Sequence, residues 1–391
     1  SGESFTARLV SVEGQKLDRY DIHDEETASG YKVGLEGGFY TVSSVESKAQ
    51  NRNPAPPFTT STLQQEASRK LGFSSRQTMQ VAQRLYEGVH TGNGVQGLIT
   101  YMRTDGVQMA GEAIAACRDM IGGNYGSRYL PDSPRQYKTK ARNAQEAHEA
   151  IRPVDFSKDP DSISRLLEPD QARLYKLIWQ RAVASQMASA QLERTVAEIS
   201  VQGGDGKTYG VRANGSVVKF DGFLKLYEEG QDDNGDRDGD RRLPALNQGD
   251  QPTLENVEAR QHFTEPPPRY TEATLIKKME ELGIGRPSTY TSTLSVLRDR
   301  EYVRLDKKRL IPEDKGRLVI AFLESFFKRY VEFDFTAALE EKLDLISAGD
   351  LEWKDVLRDF WREFIAAVNE IKDLRISEVL DALNDMLGPH I

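Results

Sequence analysis

The residues best suited to covalent chemistry are a tyrosine and an arginine two positions apart, Tyr101 and Arg103. Residues 98–102 are β-forming or apolar and lie between Gly97 and Gly106, which predicts a short strand. Side chains alternate along a strand, so the phenol and the guanidinium should share a face. A phenolate can attack a phosphodiester while a guanidinium binds the phosphate oxygens. A nearby cation favours the charged form of a tyrosine, whose free pKa is about 10.

The same pair has a simpler interpretation, because a tyrosine beside an arginine on a strand is most often a packing residue next to a surface charge. The charge distribution favours the chemical interpretation. Between Lys48 and Arg152 there are fourteen Lys and Arg and eight Asp and Glu, a local charge of +6 in a chain of net charge −9. A basic segment in an otherwise acidic chain is typical of a phosphate-binding region, although chance clustering of surface arginines would look the same.

Length and composition limit the possible classes of protein. The 391 residues are enough for two to four domains, and the 38% hydrophobic content is that of an ordinary globular chain. No run of about 18 apolar residues is present that could span a membrane. Cys117 is the single cysteine, which excludes a disulfide framework and a cysteine-based metal site. Because the chain has neither an initial methionine nor a signal peptide, we expect a processed or partial polypeptide.

Segments with alternating apolar and polar residues flank a helical middle region. They are 4–12, 31–35 and 39–45 before it, and 194–201 and 209–220 after it. Such alternation predicts antiparallel strands. We therefore predict a discontinuous β-rich domain, 1–55 with 190–262, into which a helical domain, 56–189, is inserted. A third domain, 263–391, follows a proline-rich boundary.

The inserted region combines helical patterns with glycine stops. Predicted helices cover 63–71, 76–87, 107–121 and 144–151, and a loop covers 90–96. His148, in the last of these helices, could bind a phosphate as an imidazolium with Glu146 as its partner. The alternative is a solvated or capping histidine, since one histidine without a second ligand makes no metal site.

The third region predicts a helix that ends at Gly283, a second helix from about Arg286, and a hairpin over 302–311. This is the order of a winged helix-turn-helix. Arg286, with the hydroxyls of Ser288 and Thr289 at a helix start, could bind a phosphate, or could be an ordinary surface arginine. Residues 317–387 predict helices whose aromatic residues form core packing and do not stack on bases.

Four motifs together resemble the bacterial type IA DNA topoisomerases. They are PFTTSTLQQ at 57–65, ITYMRTD at 99–105, QEAHEAIRP at 145–153 and GIGRPSTY at 283–290. The resemblance covers essentially the whole chain and implies a multidomain α+β fold, a fragment of a toroid. The β-rich domain would be a hinge or arch, 56–189 a gate that carries the tyrosine, and 263–391 a helical base.

The resemblance also implies roles for individual residues. Tyr101 would be the nucleophile that forms a 5′-phosphotyrosine, and Arg103 would bind and orient the scissile phosphate. His148 would contact DNA near the cleavage site, and Arg286 would line the DNA groove. We assign Ser288, Thr289 and Arg300 to the same predicted DNA-binding set.

The chain departs from the family pattern in what it lacks. An N-terminal toprim domain in the family supplies a general acid and the acidic ligands of Mg²⁺, and cysteine-rich zinc modules are common at the C-terminus; neither is found here. We therefore expect no metal ligands in this chain, Mg²⁺ in the full-length enzyme, and weak or absent activity alone. The expected partners are single-stranded and negatively supercoiled DNA, bound by a cytoplasmic, nucleoid-associated monomer. The alternative function is a non-enzymatic winged-helix DNA-binding protein.

Overall fold

A computed structural model describes residues 3–90, 94–138, 149–230 and 243–387. The chain forms two compact units. The first consists of Ser1–Pro54, Ala188–Lys225 and Asp233–Pro267, and the second of Ala55–Met187, Leu226–Asp232 and Pro268–Ile391. The mixture of helices and sheet confirms the α+β prediction. The further division of the second unit into a gate and a base stays a prediction.

The first unit is built on one antiparallel sheet of five strands in the order β2-β1-β7-β6-β3. The strands are β1 (Arg8–Val12), β2 (Gln15–Lys16), β3 (Phe39–Arg52), β6 (Ala190–Gln202) and β7 (Thr208–Phe220). The register of the long pair β3–β6 runs from Phe39 opposite Gln202 to Arg52 opposite Ala190. The predicted strands at 39–45, 194–201 and 209–220 are confirmed, so chain segments on both sides of the insertion complete one sheet.

The core of this unit lies between the sheet and helix α1 (Glu25–Glu36). It comprises Leu35, Val42, Ile199, Val201, Tyr209 and Val211. Alternate residues of β6 and β7 face this core, as period-2 patterning requires. Gly34 permits the close approach of Tyr209, because a Cβ at this position would lie 2.4 Å from the phenol oxygen.

The predicted strand at 31–35 is wrong, because these residues lie in α1. Alternation would place Val33 and Leu35 on one face, but Val33 is 65% exposed and Leu35 is 6% exposed. The helix begins at Asp24, whose carboxylate accepts a hydrogen bond from the backbone N–H of Thr27 at 2.7 Å. This side-chain cap stabilises the first turn and outweighs the local β propensity.

The second unit begins with helices and short strand pairs. Its first elements are α2 (Thr60–Glu66), a π-helical turn (Ala67–Leu71), α3 (Ser75–Glu87), β4 (Val89–His90), β5 (Val95–Gln96), α4 (Gly111–Tyr125), α5 (Pro160–Ile163) and α6 (Pro169–Ser185). Helix α6 is buried on most of its surface, with Leu174, Ile178 and Trp179 at 2% exposure or less. Such a helix is a central packing element.

Most helix predictions for this region are confirmed. The first helix ends at Gly72, which adopts the left-handed conformation (φ 73°) that glycine reaches without steric cost. Helix α4 begins at Gly111, four residues later than predicted. The predicted loop at 90–96 is wrong at both ends, because His90 pairs with Val95 and Val89 with Gln96 in the strands β4 and β5. The predicted helix at 144–151 lies mostly outside the described residues.

Glu66, at the end of α2, is a buried carboxylate with an exposure of only 3%. It accepts hydrogen bonds from the Tyr227 hydroxyl and from the backbone N–H of Gly230. Arg69 forms an ion pair with it at 3.2 Å, and the ammonium of Lys70 lies 3.8 Å away. These contacts attach the segment around Tyr227 to the start of the helical region.

The remainder of the second unit contains α7 (Glu272–Leu282), α8 (Tyr290–Asp299), β8 (Val303–Asp306), β9 (Arg309–Pro312), α9 (Asp314–Phe326), α10 (Lys328–Val331), α11 (Phe333–Ala348), α12 (Trp353–Lys372) and α13 (Ile376–Leu387). The order from α7 to β9 confirms the predicted helix–helix–hairpin arrangement. Its core comprises Ile276, Met279, Tyr290, Leu294 and Leu310.

The aromatic residues of α9 to α12 pack mainly on one another. Phe360 and Phe364 are stacked with ring centroids 5.7 Å apart, and Tyr330 contacts both rings edge-on. These three residues pack together but are only half-buried, so the prediction of core packing is confirmed for them in part. It is wrong for Trp353 and Trp361, which are 53% and 55% exposed. In the described part of the chain, no helix has the length and hydropathy needed to cross a membrane.

We expect Glu66→Ala to lower the free energy of unfolding of the second unit by about 3–5 kcal/mol, because it leaves buried donors and cations without their acceptor. The measurement is urea unfolding followed by tryptophan fluorescence, since Trp179, Trp353 and Trp361 all lie in this unit. The control is Asp359→Ala, which removes an exposed ion pair with Arg362 worth at most about 1 kcal/mol. Equal losses in the two variants would contradict a buried network at Glu66.

Candidate active site

The Tyr101 segment is a loop and not the predicted strand. Only Ile99 forms a β-bridge, to Pro153. The alternation of faces nevertheless holds: Tyr101 is 41% exposed and Arg103 is also exposed, whereas Met102 and Thr104 are 1% and 2% exposed. The structure therefore presents the phenol and the guanidinium on the same, outer side of the loop.

The loop is not a strand because its backbone groups bond to several different segments. The N–H of Leu98 donates to the carbonyl of Leu85 at 2.7 Å, and the N–H of Thr100 donates to the carbonyl of Arg152 at 2.9 Å. Beyond Tyr101 the partner changes to Thr60, whose N–H donates to the carbonyl of Thr104 at 2.9 Å. No single neighbouring strand supplies the repeated bonds of a ladder.

The end of the QEAHEAIRP motif lies against this loop. The hydroxyl of Thr100 donates to the carbonyl of Ala150 at 2.7 Å and accepts from the N–H of Arg152 at 3.0 Å. Ile151 in turn forms a bridge to Phe58, in the PFTTSTLQQ motif. Three of the four motifs thus meet through backbone contacts. His148 itself lies outside the described residues, so its predicted role stays a prediction.

The fourth motif, 283–290, connects α7 to α8, and both of these helices contact α2. The hydroxyl of Ser61 donates to the carboxylate of Glu280 on α7 at 2.7 Å. The side-chain amide of Gln64 donates to the hydroxyl of Thr291 on α8 at 2.9 Å, and its Oε1 is buried without a hydrogen-bond partner. The contact between α2 and this helix pair therefore includes hydrogen-bonded polar side chains.

The charges near this contact are mostly negative. Glu280 is exposed as a residue, but desolvation of its carboxylate against Ser61 raises its pKa above the usual value; the Ser61 hydrogen bond opposes this, and the charges of Glu281 and Asp105 add to it. Burial also raises the pKa of the Tyr290 phenol, an effect that Glu280 strengthens. Tyr290 is therefore a neutral hydroxyl at physiological pH, and it ends the GIGRPSTY motif beside Asp105, which follows the Tyr101 loop.

Arg286 is engaged by carboxylates of α11. Its Nη2 lies 2.5 Å from Asp344 Oδ2, and its Nη1 lies 3.9 Å from Glu340. Nη1 also donates to the carbonyl of Gly285 at 2.8 Å. Burial alone would lower the pKa of Arg286, but the hydrogen bond to Asp344 and the two negative charges raise it. To bind a phosphate, this guanidinium would have to exchange one anionic partner for another.

The other predicted DNA-binding residues lie close to Arg286 or on α8. Ser288 is exposed. Thr289 starts α8, and its hydroxyl accepts from the backbone N–H of Arg286 at 2.8 Å. Arg300 is exposed at the C-terminal end of the same helix. Their contribution to binding stays a prediction.

Two tyrosines lie side by side at the loop surface. The rings of Tyr86 and Tyr101 are 5.4 Å apart between centroids and meet edge-on at 67°. Their exposures are similar, 40% and 41%. An edge-on contact holds the ring of Tyr101 from one side and leaves part of its surface accessible.

The hydroxyls of Thr60 and Thr100 bond to backbone groups at the loop, and neither residue is among the predicted site residues. Thr59 does cap α2, since its hydroxyl accepts from the N–H of Thr62 at 3.2 Å. Thr60 instead binds the Tyr101 loop, and Thr100, within that loop, binds the backbone of Ala150 and Arg152. The position of Thr60 and Thr100 within two of the four motifs was the available signal.

The family model for DNA topoisomerase matches residues 3–358. The chain belongs to this family. It is 50% identical to DNA topoisomerase 1 of Rickettsia felis over 391 residues, and 54% identical to DNA topoisomerase 1 of Zymomonas mobilis over 390 residues. These matches cover 100% and 98% of this chain but 50% and 31% of the two relatives. The chain therefore spans half or less of their length.

The structural comparison agrees with this assignment. The full-length topoisomerase I from Thermotoga maritima matches 93% of this chain and 56% of its own, with a TM-score of 0.77 and 35% identity. The resemblance to type IA topoisomerases and the α+β fold expected from the sequence are thereby confirmed.

The chemistry of the described residues does not fit a magnesium site. Within 3–90, 94–138, 149–230 and 243–387, no three His, Cys, Asp or Glu side chains come together as a set of metal ligands. The expectation that Mg²⁺ ligands come from another part of the full-length enzyme stays a prediction.

We expect Glu280→Gln to stabilise the second unit at neutral pH and to have little effect in acid. The folded pKa of Glu280 lies above the ordinary value of 4.5. The favourable contribution of Glu280 to the free energy of unfolding is therefore complete below pH 4.5. It is lost as the pH rises through the pKa that Glu280 has in the folded protein. Glutamine keeps an acceptor for Ser61 and never ionises, so the difference between variant and wild type should grow with pH.

The measurement is the urea midpoint of tryptophan fluorescence for both proteins between pH 4 and pH 8, with Asp359→Asn as an exposed control that should shift stability by less than about 1 kcal/mol. A difference that stays constant across this range would show that ionisation of Glu280 does not oppose folding.

Proposed function

We propose that this chain is the nucleophile-bearing part of a type IA DNA topoisomerase, which cleaves one DNA strand, passes another through the break and reseals it to relax negatively supercoiled DNA. One observation carries the proposal: the loop presents Tyr101 and Arg103 together on its exposed side, and segments of all four family motifs lie within one compact unit around it. Family membership does not favour the alternative of a purely DNA-binding winged-helix protein.

The proposed reaction is a reversible transfer of a phosphodiester. The phenol oxygen of Tyr101 attacks the phosphorus, a bond forms between them, and the bond from phosphorus to the 3′ oxygen breaks. The DNA is left with a free 3′-hydroxyl and a 5′-phosphate on Tyr101. Arg103 holds the non-bridging oxygens through charge-assisted hydrogen bonds. Attack by the 3′-hydroxyl restores the strand and the tyrosine, so the phosphodiester bond energy is kept.

Other requirements of this reaction belong to the longer polypeptide. The 3′ oxygen must receive a proton as it leaves, and acid assistance of this kind is typically worth about 10²–10⁴-fold. We place this acid and the Mg²⁺ site outside the described residues, and therefore expect this chain alone to cleave weakly. The proposed partners are single-stranded and negatively supercoiled DNA, and the proposed state is a cytoplasmic, nucleoid-associated monomer.

We expect Tyr101→Phe to abolish covalent attachment to DNA, because it removes the attacking oxygen and keeps the ring. The assay uses the full-length polypeptide with Mg²⁺ and a single-stranded oligonucleotide labelled at its 3′ end, trapped with detergent. Wild type should carry the label as a protein adduct. A 5′ label should instead appear on a shortened free strand.

The matched control is Tyr86→Phe, which alters an equally exposed tyrosine in contact with Tyr101. It should retain the adduct. An adduct in Tyr101→Phe, or an adduct carrying the 5′ label in wild type, would contradict the proposed function.

We expect Arg103→Ala to lower the rate of adduct formation by about 10²–10³-fold, the typical effect of removing one donor that stabilises developing charge. Arg103→Lys should recover only part of this loss, because a lysine keeps the charge without the two-pronged geometry. Arg84→Ala, which removes an exposed arginine of the same unit paired with Glu168, serves as the control. Equal rates for Arg103→Ala and Arg84→Ala would exclude a phosphate-binding role for Arg103.

A further inference from the structure

The backbone on both sides of Arg103 is held by a single side chain, that of Thr60. Thr60 is fully buried, with an exposure of 0%. Its Oγ1 lies 2.7 Å from the carbonyl oxygen of Met102 and accepts from the N–H of Thr104 at 2.8 Å. The first atom belongs to the peptide group before Arg103 and the second to the peptide group after it.

The assignment of donors follows from what each group can supply. A hydroxyl has one hydrogen to donate and two lone pairs that accept. The carbonyl of Thr104, 3.1 Å from the same Oγ1, already receives the main-chain N–H of Thr60 at 2.9 Å. The hydroxyl hydrogen is therefore directed to Met102, and a lone pair receives the N–H of Thr104. Both peptide planes that flank Arg103 are bonded to one oxygen atom.

This arrangement determines the direction of two side chains. Fixing both peptide planes restricts φ and ψ of Arg103, and the buried side chain of Met102 fixes the residue between Arg103 and Tyr101. The hydroxyl is not needed to start α2, because Thr59 provides that cap. Its hydrogen-bonding capacity is thus used on the loop.

We propose that Thr60 is a positioning residue for the proposed cleavage reaction, and that its hydroxyl sets the geometry in which Tyr101 attacks and Arg103 holds the phosphate. The inference rests on the proposed function. Thr60 itself is buried and does not touch the reacting atoms. Its effect is on orientation, where a displacement of about 1 Å can cost about 10²-fold in rate.

The first test compares Thr60→Val, which keeps the shape and removes the hydroxyl, with Thr60→Ser, which keeps the hydroxyl. In the full-length polypeptide, Thr60→Val should lower the rate of adduct formation at saturating oligonucleotide by about 10²-fold. The oligonucleotide concentration at half-maximal rate should change much less than the rate, because the substitution removes no group that itself contacts DNA. Thr60→Ser should restore the rate to within a few fold of wild type.

The matched control is Thr78→Val. Thr78 is also fully buried in the same unit, and its hydroxyl donates to the carbonyl of Ser74, one turn earlier in its own helix region. This variant should cleave as wild type does. A folded Thr60→Val protein with the wild-type rate would overturn the proposal, as would an equal loss in Thr78→Val. If Thr60→Val does not fold, Thr60→Cys replaces it, since a thiol hydrogen-bonds weakly; a folded cysteine variant with the wild-type rate would likewise overturn it.

The second test does not depend on activity. In this 391-residue chain, hydrogen exchange at the Thr104 amide should be about tenfold faster in Thr60→Val than in wild type, and unchanged in Thr78→Val. Unchanged exchange in Thr60→Val would overturn the proposal. If wild type forms no adduct but the exchange differs as expected, the proposed function fails while the contact from Thr60 to the loop stands, so the two failures are distinguishable.

Discussion

The exposed loop that carries Tyr101 and Arg103 depends on the buried hydroxyl group of Thr60. A segment that directs polar side chains to solvent still has peptide groups on its inner side, and these need partners. Thr60 supplies them to the peptide groups that flank Arg103, and Thr100, within the loop, bonds to the backbone of Ala150 and Arg152. Because the partners of the loop come from several separate segments and not from one neighbouring strand, the loop conformation is not restricted to the repeat of a β-ladder. Backbone geometry suited to a reaction can then be maintained at an exposed position.

The packing of α2 and α3 on α7 and α8 has the same polar character. Ser61 bonds to Glu280, Gln64 to Thr291, and the backbone N–H of Ser75 to Glu272. Polar groups that separate can return to water, so such a contact costs less to open than an apolar one of equal area. The negative charges at Glu280 and Asp105 oppose one another and reduce its stability further. These properties match the proposed function, in which a strand must pass between parts of the protein.

Local sequence signals predicted the helices and strands whose ends are marked by residues within or next to the element itself. Gly72 and Gly283 end the two helices that lie in contact, and the hairpin from Val303 to Pro312 follows its alternating pattern. The same reasoning failed at α1, where a short apolar alternation indicated a strand but the cap at Asp24 and burial against the sheet produced a helix. It failed again at 98–102, since strand-forming residues make a strand only if another segment pairs with them along their length, and here only Ile99 forms a bridge.

The sequence by itself determined the chemical groups, their family motifs and the outward direction shared by Tyr101 and Arg103, because residue type and two-residue spacing are local properties. The tertiary structure decided what holds them. Thr60 and Thr104 are 44 positions apart, Thr100 and Arg152 are 52 apart, and Ser61 and Glu280 are 219 apart. A local pattern describes which face of a segment is apolar, but not which distant donor will meet a given carbonyl. That pairing forms only when the intervening chain folds and packs. The hydrogen bonds of the threonines at the loop can therefore be identified only in the folded protein.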